Sequence, residues 1–289
     1  MKFNDAIDKF LTFKKSEVRA STIKYYEGKV PMIRRYLGDM NIDDIDKFVI
    51  ADFTEEQRER NPTITNRTLN HYRQVIRHIV EVVTDRKIKV RKLKVSSDKV
   101  RGLSDNIVNK IMDHLFVNRN KGIYPHYYKY YFMFSLMLDT GARINEIVHI
   151  ENRNIDIADR SILLTTTKNG NQRYVFFTEE VALILQKYLN RYKIKGQYLF
   201  VGADEKNHLT KFAVIKFLEK LQKRLKIDRS ISSHKFRHTM AERYMKNHGG
   251  IYSLQKLLGH TDITTTTIYA DIGKEELKKI YNKTMKNKL

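Results

Sequence analysis

The sequence contains no cysteine, which excludes both a disulfide framework and a thiolate metal site. That absence fits a reducing compartment, and the expected location is the cytoplasm. Proline and glycine are scarce, at 3 and 12 of 289 residues. With no low-complexity tract and no internal repeat, little room is left for disorder. No window approaches 18 apolar residues, and Asp5 and Asp8 stand where a signal peptide needs an apolar run, so neither export nor a membrane span is expected. Acidic residues are the remaining shortage: 33 Asp and Glu face 55 Lys and Arg, a net charge of +22. An excess of this size favours a polyanionic partner, because basic patches follow phosphate density.

What is present points to two folded domains. Hydrophobic residues make up 41% of the chain, enough for two cores, and the basic residues are interleaved with 17 Tyr and 14 Phe rather than gathered in a tail. Phe3, Ala6, Ile7, Phe10 and Leu11 recur at helical spacing. A second helix is expected over 22–37, capped by Gly38, a short third near 43–53, and a fourth over 63–83 that buries Leu69, Tyr72, Val75, Ile76 and Ile79. Residues 1–91 therefore read as a helical bundle. Arg67, Arg73 and Arg77 make its last helix the element expected to face a nucleic acid, against the alternative that such charges only solvate a helix face.

Residues 92–103 are polar, basic and aperiodic, and read as a linker whose Lys99 and Arg101 suit a phosphate backbone. About ten extended residues reach roughly 30 Å, enough to set two domains on opposite sides of a duplex about 20 Å wide. The second domain, 104–289, opens at Ser104 or Asp105 as N-cap. Its helix over 126–138 is apolar nearly all round, which identifies a buried central helix; its Tyr and Met stripe is core rather than a cofactor box. A short helix begins near Arg143. β-Branched and aromatic runs on either side of Asn169-Gly170 predict a hairpin with Lys168 at its tip. Helices over 179–192 and 210–225, a short strand at 198–201, the stretch beginning at His234 and a basic amphipathic C-terminal helix complete the chain. The fold class is mainly α: a helical bundle, then a mixed, mostly helical domain with a small antiparallel β-sheet.

His234, Arg237 and His238 fall on neighbouring helix positions. His234 and His238 have the spacing of two zinc ligands, but Lys235 occupies the place where a zinc protease needs Glu, so neither metal nor cofactor is expected. Arg143 and Arg237 fit better as a pair. Each guanidinium offers two parallel donors to the oxygens of one phosphate, and two of them neutralise a pentacoordinate transition state without a metal ion.

At this point the sequence resembles a known family, the tyrosine recombinases or phage integrases. The resemblance rests on T-G-A-R-I-N-E-I at Thr140 to Ile147, H-K-F-R-H-T at His234 to Thr239, L-G-H at Leu258 to His260, and Tyr269 nine residues beyond that histidine. The helical first domain looks like the family's core-binding domain, and its early start suits a simple Xer-like layout without an arm-binding domain.

The resemblance implies that Tyr269 attacks the scissile phosphate, that Arg143 and Arg237 clamp it, that His234 and His260 bond to it or help deprotonate the tyrosine, and that Lys168 protonates the departing oxygen. It implies that Glu146 orients Arg143. It also implies double-stranded DNA with a short inverted-repeat core site as partner, a homotetramer on two such sites, and room for a partner recombinase. The C-terminal helix, with Leu277, Ile280 and Tyr281 on one face, either covers its own domain or, as the resemblance implies, docks on a neighbouring protomer. Thr264 to Thr267 are stiff, poor helix formers, which predicts a loosely held Tyr269. The rivals are a non-enzymatic basic DNA-binding regulator, which needs no such constellation, and a type IB topoisomerase, which relaxes DNA as a monomer.

Overall fold

The computed structural model describes residues 1–95, 101–121, 126–165, 172–194, 196–202, 204, 206–247 and 249–259. The chain divides into two compact units, Met1–Asp98 and Lys99–Leu289.

In the first unit, α1 (Phe3–Glu17) buries Phe3, Ala6, Ile7 and Phe10, the stripe read from its spacing. The single helix expected over 22–37 is two, α2 (Ala20–Glu27) and α3 (Val30–Leu37). Pro31 explains the break: it has no N–H to donate and its ring clashes with the carbonyl four residues back, so it is tolerated only in a first turn, where α3 places it. Gly38 does cap α3, its N–H bonding to Arg34 O. The expected third helix starts later and runs further, as α4 (Lys47–Arg60). Its start is set by Asp46, whose Oδ1 accepts from the N–H groups of Phe48 and Val49 at 2.8 and 2.9 Å. Its extension through polar Glu55 to Arg60 is supported by the pairs Glu55–Arg58 and Glu56–Arg60, one turn apart. The fourth helix, α5 (Asn66–Thr84), is capped by Thr65 and buries Leu69, Val75, Ile76, Ile79 and Val80.

Part of the stretch expected to be a linker is held down. Asn70 on α5 donates to Leu93 O and accepts from Leu93 N, both at 2.9 Å, and Asn66 donates to Lys94 O at 2.7 Å. At the far end, Gly102 N donates to Glu242 at 2.9 Å and Leu103 N to Thr239 Oγ1 at 2.7 Å. Lys99 lies outside the described residues.

The second unit is built around α7 (Tyr127–Thr140), of whose 14 residues 11 are buried. The aromatic stripe is core: Phe132 lies against Tyr188 and Phe200, Phe134 against Phe236, and Tyr130 stacks on Phe217. Its buried Lys129 donates to Val201 O at 2.9 Å. Around α7 stand α6 (Asp105–Asn118), α8 (Ile144–Val148), α9 (Glu179–Tyr192), α10 (Lys211–Arg224), α11 (Ser233–Lys246) and α12 (Ile251–Leu258).

Among the described residues one sheet is present, with strands β1 (Ile155–Asp156), β2 (Ser161–Leu164) and β3 (Arg173–Phe176) in that order, all antiparallel. β2 and β3 pair antiparallel, as expected, with Ser161 opposite Phe176 and Leu164 opposite Arg173; a two-residue turn at Asn169-Gly170 would set Leu164 opposite Val175 instead, so the register is offset from that reading. Its tip, including Lys168 and Asn169-Gly170, lies outside the described residues. The strand expected at 198–201 is reduced to isolated bridges, Glu151 to Tyr198 and Val201 to His208. Leu199 and Phe200 are apolar because they fill the core, not because they belong to a ladder. The described residues hold no helix long and apolar enough to cross a membrane. The threonine run at 264–267 and the C-terminal helix expected from Lys274 onward also lie outside them.

Candidate active site

The site forms where α7, α8, α11 and α12 meet. α7 ends at Gly141, whose φ of +62° needs glycine, and where a Cβ would stand 2.8 Å from Leu258 and 3.0 Å from Met240 Sδ. This close approach brings the end of α7 against α11 and α12. The chain then extends at Arg143, the N-cap of α8, and Glu146 sits at the third helical position. From there its carboxylate reaches back: Oε2 accepts from Arg143 N at 2.7 Å and Oε1 from Arg143 Nη1 at 3.0 Å.

Glu146 is only 3% exposed. Its charge is balanced by a second guanidinium, that of Arg173 on β3, which donates from Nη1 to Oε1 and from Nη2 to Oε2, each at 2.8 Å. Burial pushes the carboxyl pKa up, but the hydrogen bond and charge of Arg173 and the backbone bond and charge of Arg143 outweigh it, and the pKa lies below the usual range. Nε and Nη2 of Arg143 make no hydrogen bond among the described residues.

Arg237 on α11 is buried, and its fork spans two helix ends: Nη1 donates to Gly141 O at 2.8 Å and Nη2 to Leu258 O at 2.7 Å. Arg173 Nε donates to Leu257 O at 2.9 Å. Two guanidinium groups therefore cap the carbonyl end of α12, where the helix dipole favours cations. α12 finishes at Gly259, with φ +65°, and His260 is the next residue in the chain. His234 is exposed on α11, one turn before His238. His238 is half-buried, and burial, then His234, Arg237 and Lys235, hold its pKa down at about 4.

The structure thus brings Arg143, Glu146 and Arg237 to one junction, with His234 on the helix that carries Arg237. Lys168, His260 and Tyr269 lie outside the described residues. Arg173 on β3 is committed to Glu146 and Leu257. Strand alternation was the signal for its direction: Val175 faces the core, so Arg173, two residues earlier, faces the same side. Thr239 and Glu242, the anchors of residues 102–103, were not foreseen. No group of three or more metal-ligating side chains stands together among the described residues.

In the first unit, Arg67, Arg73 and Arg77 line, with Arg91 and Lys92, a groove of about 460 Å³ along α5. Nε of Arg73 and of Arg77 is buried without a partner, and burial, then the charges of Arg58 and Arg77, lower the pKa of Arg73. Such crowded, underbonded cations suit an anionic partner. Arg101 is exposed at the start of the second unit.

Residues 101–276 match the model of the phage integrase family. Among characterised proteins, tyrosine recombinase XerA of Saccharolobus solfataricus is 37% identical over 150 residues, covering 52% of this chain and 48% of that protein. The chain thus spans about half the length of this relative. Tyrosine recombinase XerD of Listeria innocua is 25% identical over 296 residues, covering 96% of this chain and 97% of that protein. Among solved structures, the Tn1549 transposon integrase in complex with circular intermediate DNA superposes with a TM-score of 0.80 at 18% identity, covering 98% of this chain and all of that one. This last likeness supports the mostly helical fold with its small sheet.

Proposed function

We propose, because the chain belongs to the phage integrase family, that it is a site-specific recombinase that cuts and rejoins DNA through Tyr269. The observation that carries the reading is the meeting of two arginines, Arg143 and Arg237, beside the end of α12 that runs on to His260. The relatives XerA and XerD bear the name tyrosine recombinase.

In the reaction proposed, the Tyr269 hydroxyl oxygen forms a bond to the scissile phosphorus while the bond from phosphorus to the 5′-oxygen breaks. The tyrosine proton passes to His234 or His260, and Lys168 supplies the proton that the leaving 5′-oxygen takes up. The 3′-phosphotyrosine keeps the energy of the broken diester, so a 5′-hydroxyl from another strand reverses the step without ATP. Arg143 and Arg237 neutralise the charge that builds on the non-bridging oxygens, and Glu146 orients Arg143.

The partner proposed is double-stranded DNA with a short inverted-repeat core site. Arg67, Arg73 and Arg77 would contact its phosphates from the first unit, taken as a core-binding domain, with Lys99 and Arg101 following from the linker. Exchange between two sites calls for a homotetramer, with or without a partner recombinase, acting in the cytoplasm on a replicon or a mobile element. A nicked duplex carrying the site that the chain selects from a randomised pool tests this. A covalent protein-DNA adduct should form and vanish in Tyr269→Phe; no adduct, or one that survives the substitution, refutes the reading.

A further inference from the structure

Arg173 engages all three of its guanidinium nitrogens inside the site although no step of the proposed reaction employs it. Nη1 and Nη2 hold the two oxygens of Glu146 and Nε holds Leu257 O. Its side chain is 11% exposed, and a Cβ on Gly259 would lie 3.0–3.1 Å from its Cδ, Nε and Nη1. The last turn of α12 therefore closes directly over this guanidinium.

A planar fork with three engaged donors fixes rotation as well as distance. The carboxylate it holds is the one that carries Arg143, through both Nη1 and the backbone N–H. The helix end it holds leads through Gly259 to His260. One side chain on a β-strand thus joins the segment presenting Arg143 to the segment continuing into the next proposed site residue.

We propose that Arg173 is a positioning residue for DNA cleavage: through Glu146 it sets the orientation of Arg143, through Leu257 it seats the end of α12, and so it governs the rate of attack without touching the phosphate. This rests on the recombinase reading of the same site. Lysine at this position keeps the charge but offers a single point donor, so Arg173→Lys separates geometry from electrostatics.

Three measurements on the full chain test it, with Arg173→Lys and Arg173→Gln. In the DNA-free protein, amide exchange at Leu257, Leu258 and Gly259 should quicken by about tenfold or more while α9 is unchanged, as local opening requires. On a nicked duplex bearing the wild-type-selected site, half-saturation should stay within about threefold while the maximal rate of adduct formation falls about 100-fold in Arg173→Lys, the scale of a misplaced catalytic group. Replacing the scissile phosphate by an uncharged methylphosphonate should shrink that deficit about tenfold or more, since a neutral group asks less of Arg143. Unchanged exchange at the end of α12, wild-type rates, or an equal deficit on both substrates overturns the proposal. A wild-type chain that forms no adduct sinks the recombinase reading instead, and the exchange result still decides whether Arg173 seats α12.

Discussion

Glu146→Gln is the perturbation whose size follows most directly from the geometry. The carboxylate accepts four hydrogen bonds, two on each oxygen, from Arg143 N, Arg143 Nη1 and the two terminal nitrogens of Arg173. The amide has the same shape but one accepting oxygen, so two bonds are lost and an NH2 group is set against two donors. The negative charge between two cations is lost as well. Removing one partner from a buried ion pair costs about 3–5 kcal/mol, and because Arg143 keeps 23% side-chain exposure, about 3 kcal/mol is the expected loss. At roughly 2–4 °C per kcal/mol for a unit of this size, the melting temperature should fall by about 6–12 °C.

Thermal melts followed by circular dichroism, repeated across pH, measure this. The Glu146 pKa is lowered in the fold, so its contribution is complete above the unfolded carboxyl value of about 4.3 and is lost as pH falls through the lower folded value. The wild type should therefore lose its advantage over Glu146→Gln on the acid side of about pH 4 and keep it at neutral pH. A drop of less than about 3 °C at pH 7, or a pH-independent difference, would show that the charge of Glu146 does not hold the two arginines as described.

The ring of His238 should titrate near pH 4 by NMR; a midpoint close to 6.5 would show that its burial and the cations around it do not act as described. Because its folded pKa is depressed, the neutral form is favoured, and His238 should withdraw stability as pH falls from about 6.5 towards 4, an effect absent in His238→Gln. Gly259→Ala should destabilise the chain by about 1–2 kcal/mol through its left-handed backbone alone and loosen the end of α12. Urea unfolding showing no change would contradict the positive φ at this cap.

Much of the architecture was legible because its causes are local. α9 begins and ends where the sequence suggested, since Thr178 caps it with its own hydroxyl on Val181 N and the apolar stripe is regular. Central α7 was legible from its all-round hydrophobicity. The break between α2 and α3 has an equally local cause in Pro31, but the continuous apolar spacing over 22–37 masked it. The strand at 198–201 misled because apolar runs fill cores as readily as they form ladders. Arg143 with Glu146 was readable as neighbours one turn apart at a helix start. Arg173 was not, because its partner lies 27 residues away on α8, and no short-range spacing encodes such a pairing. The anchoring of residues 102–103 by Thr239 and Glu242 is longer-range still, at separations of 136 and 140 residues.

In the proposed reaction Tyr269 becomes bonded to the 3′-phosphate of DNA. Digesting the protein-DNA adduct from the nicked duplex with trypsin and nuclease, then sequencing the nucleotide-bearing peptide by mass spectrometry, tests it directly. One modified peptide is expected, with the phosphate on Tyr269 and a free 5′-hydroxyl on the released strand. A nucleotide on any other tyrosine, or a 5′-phosphate linkage, would contradict it.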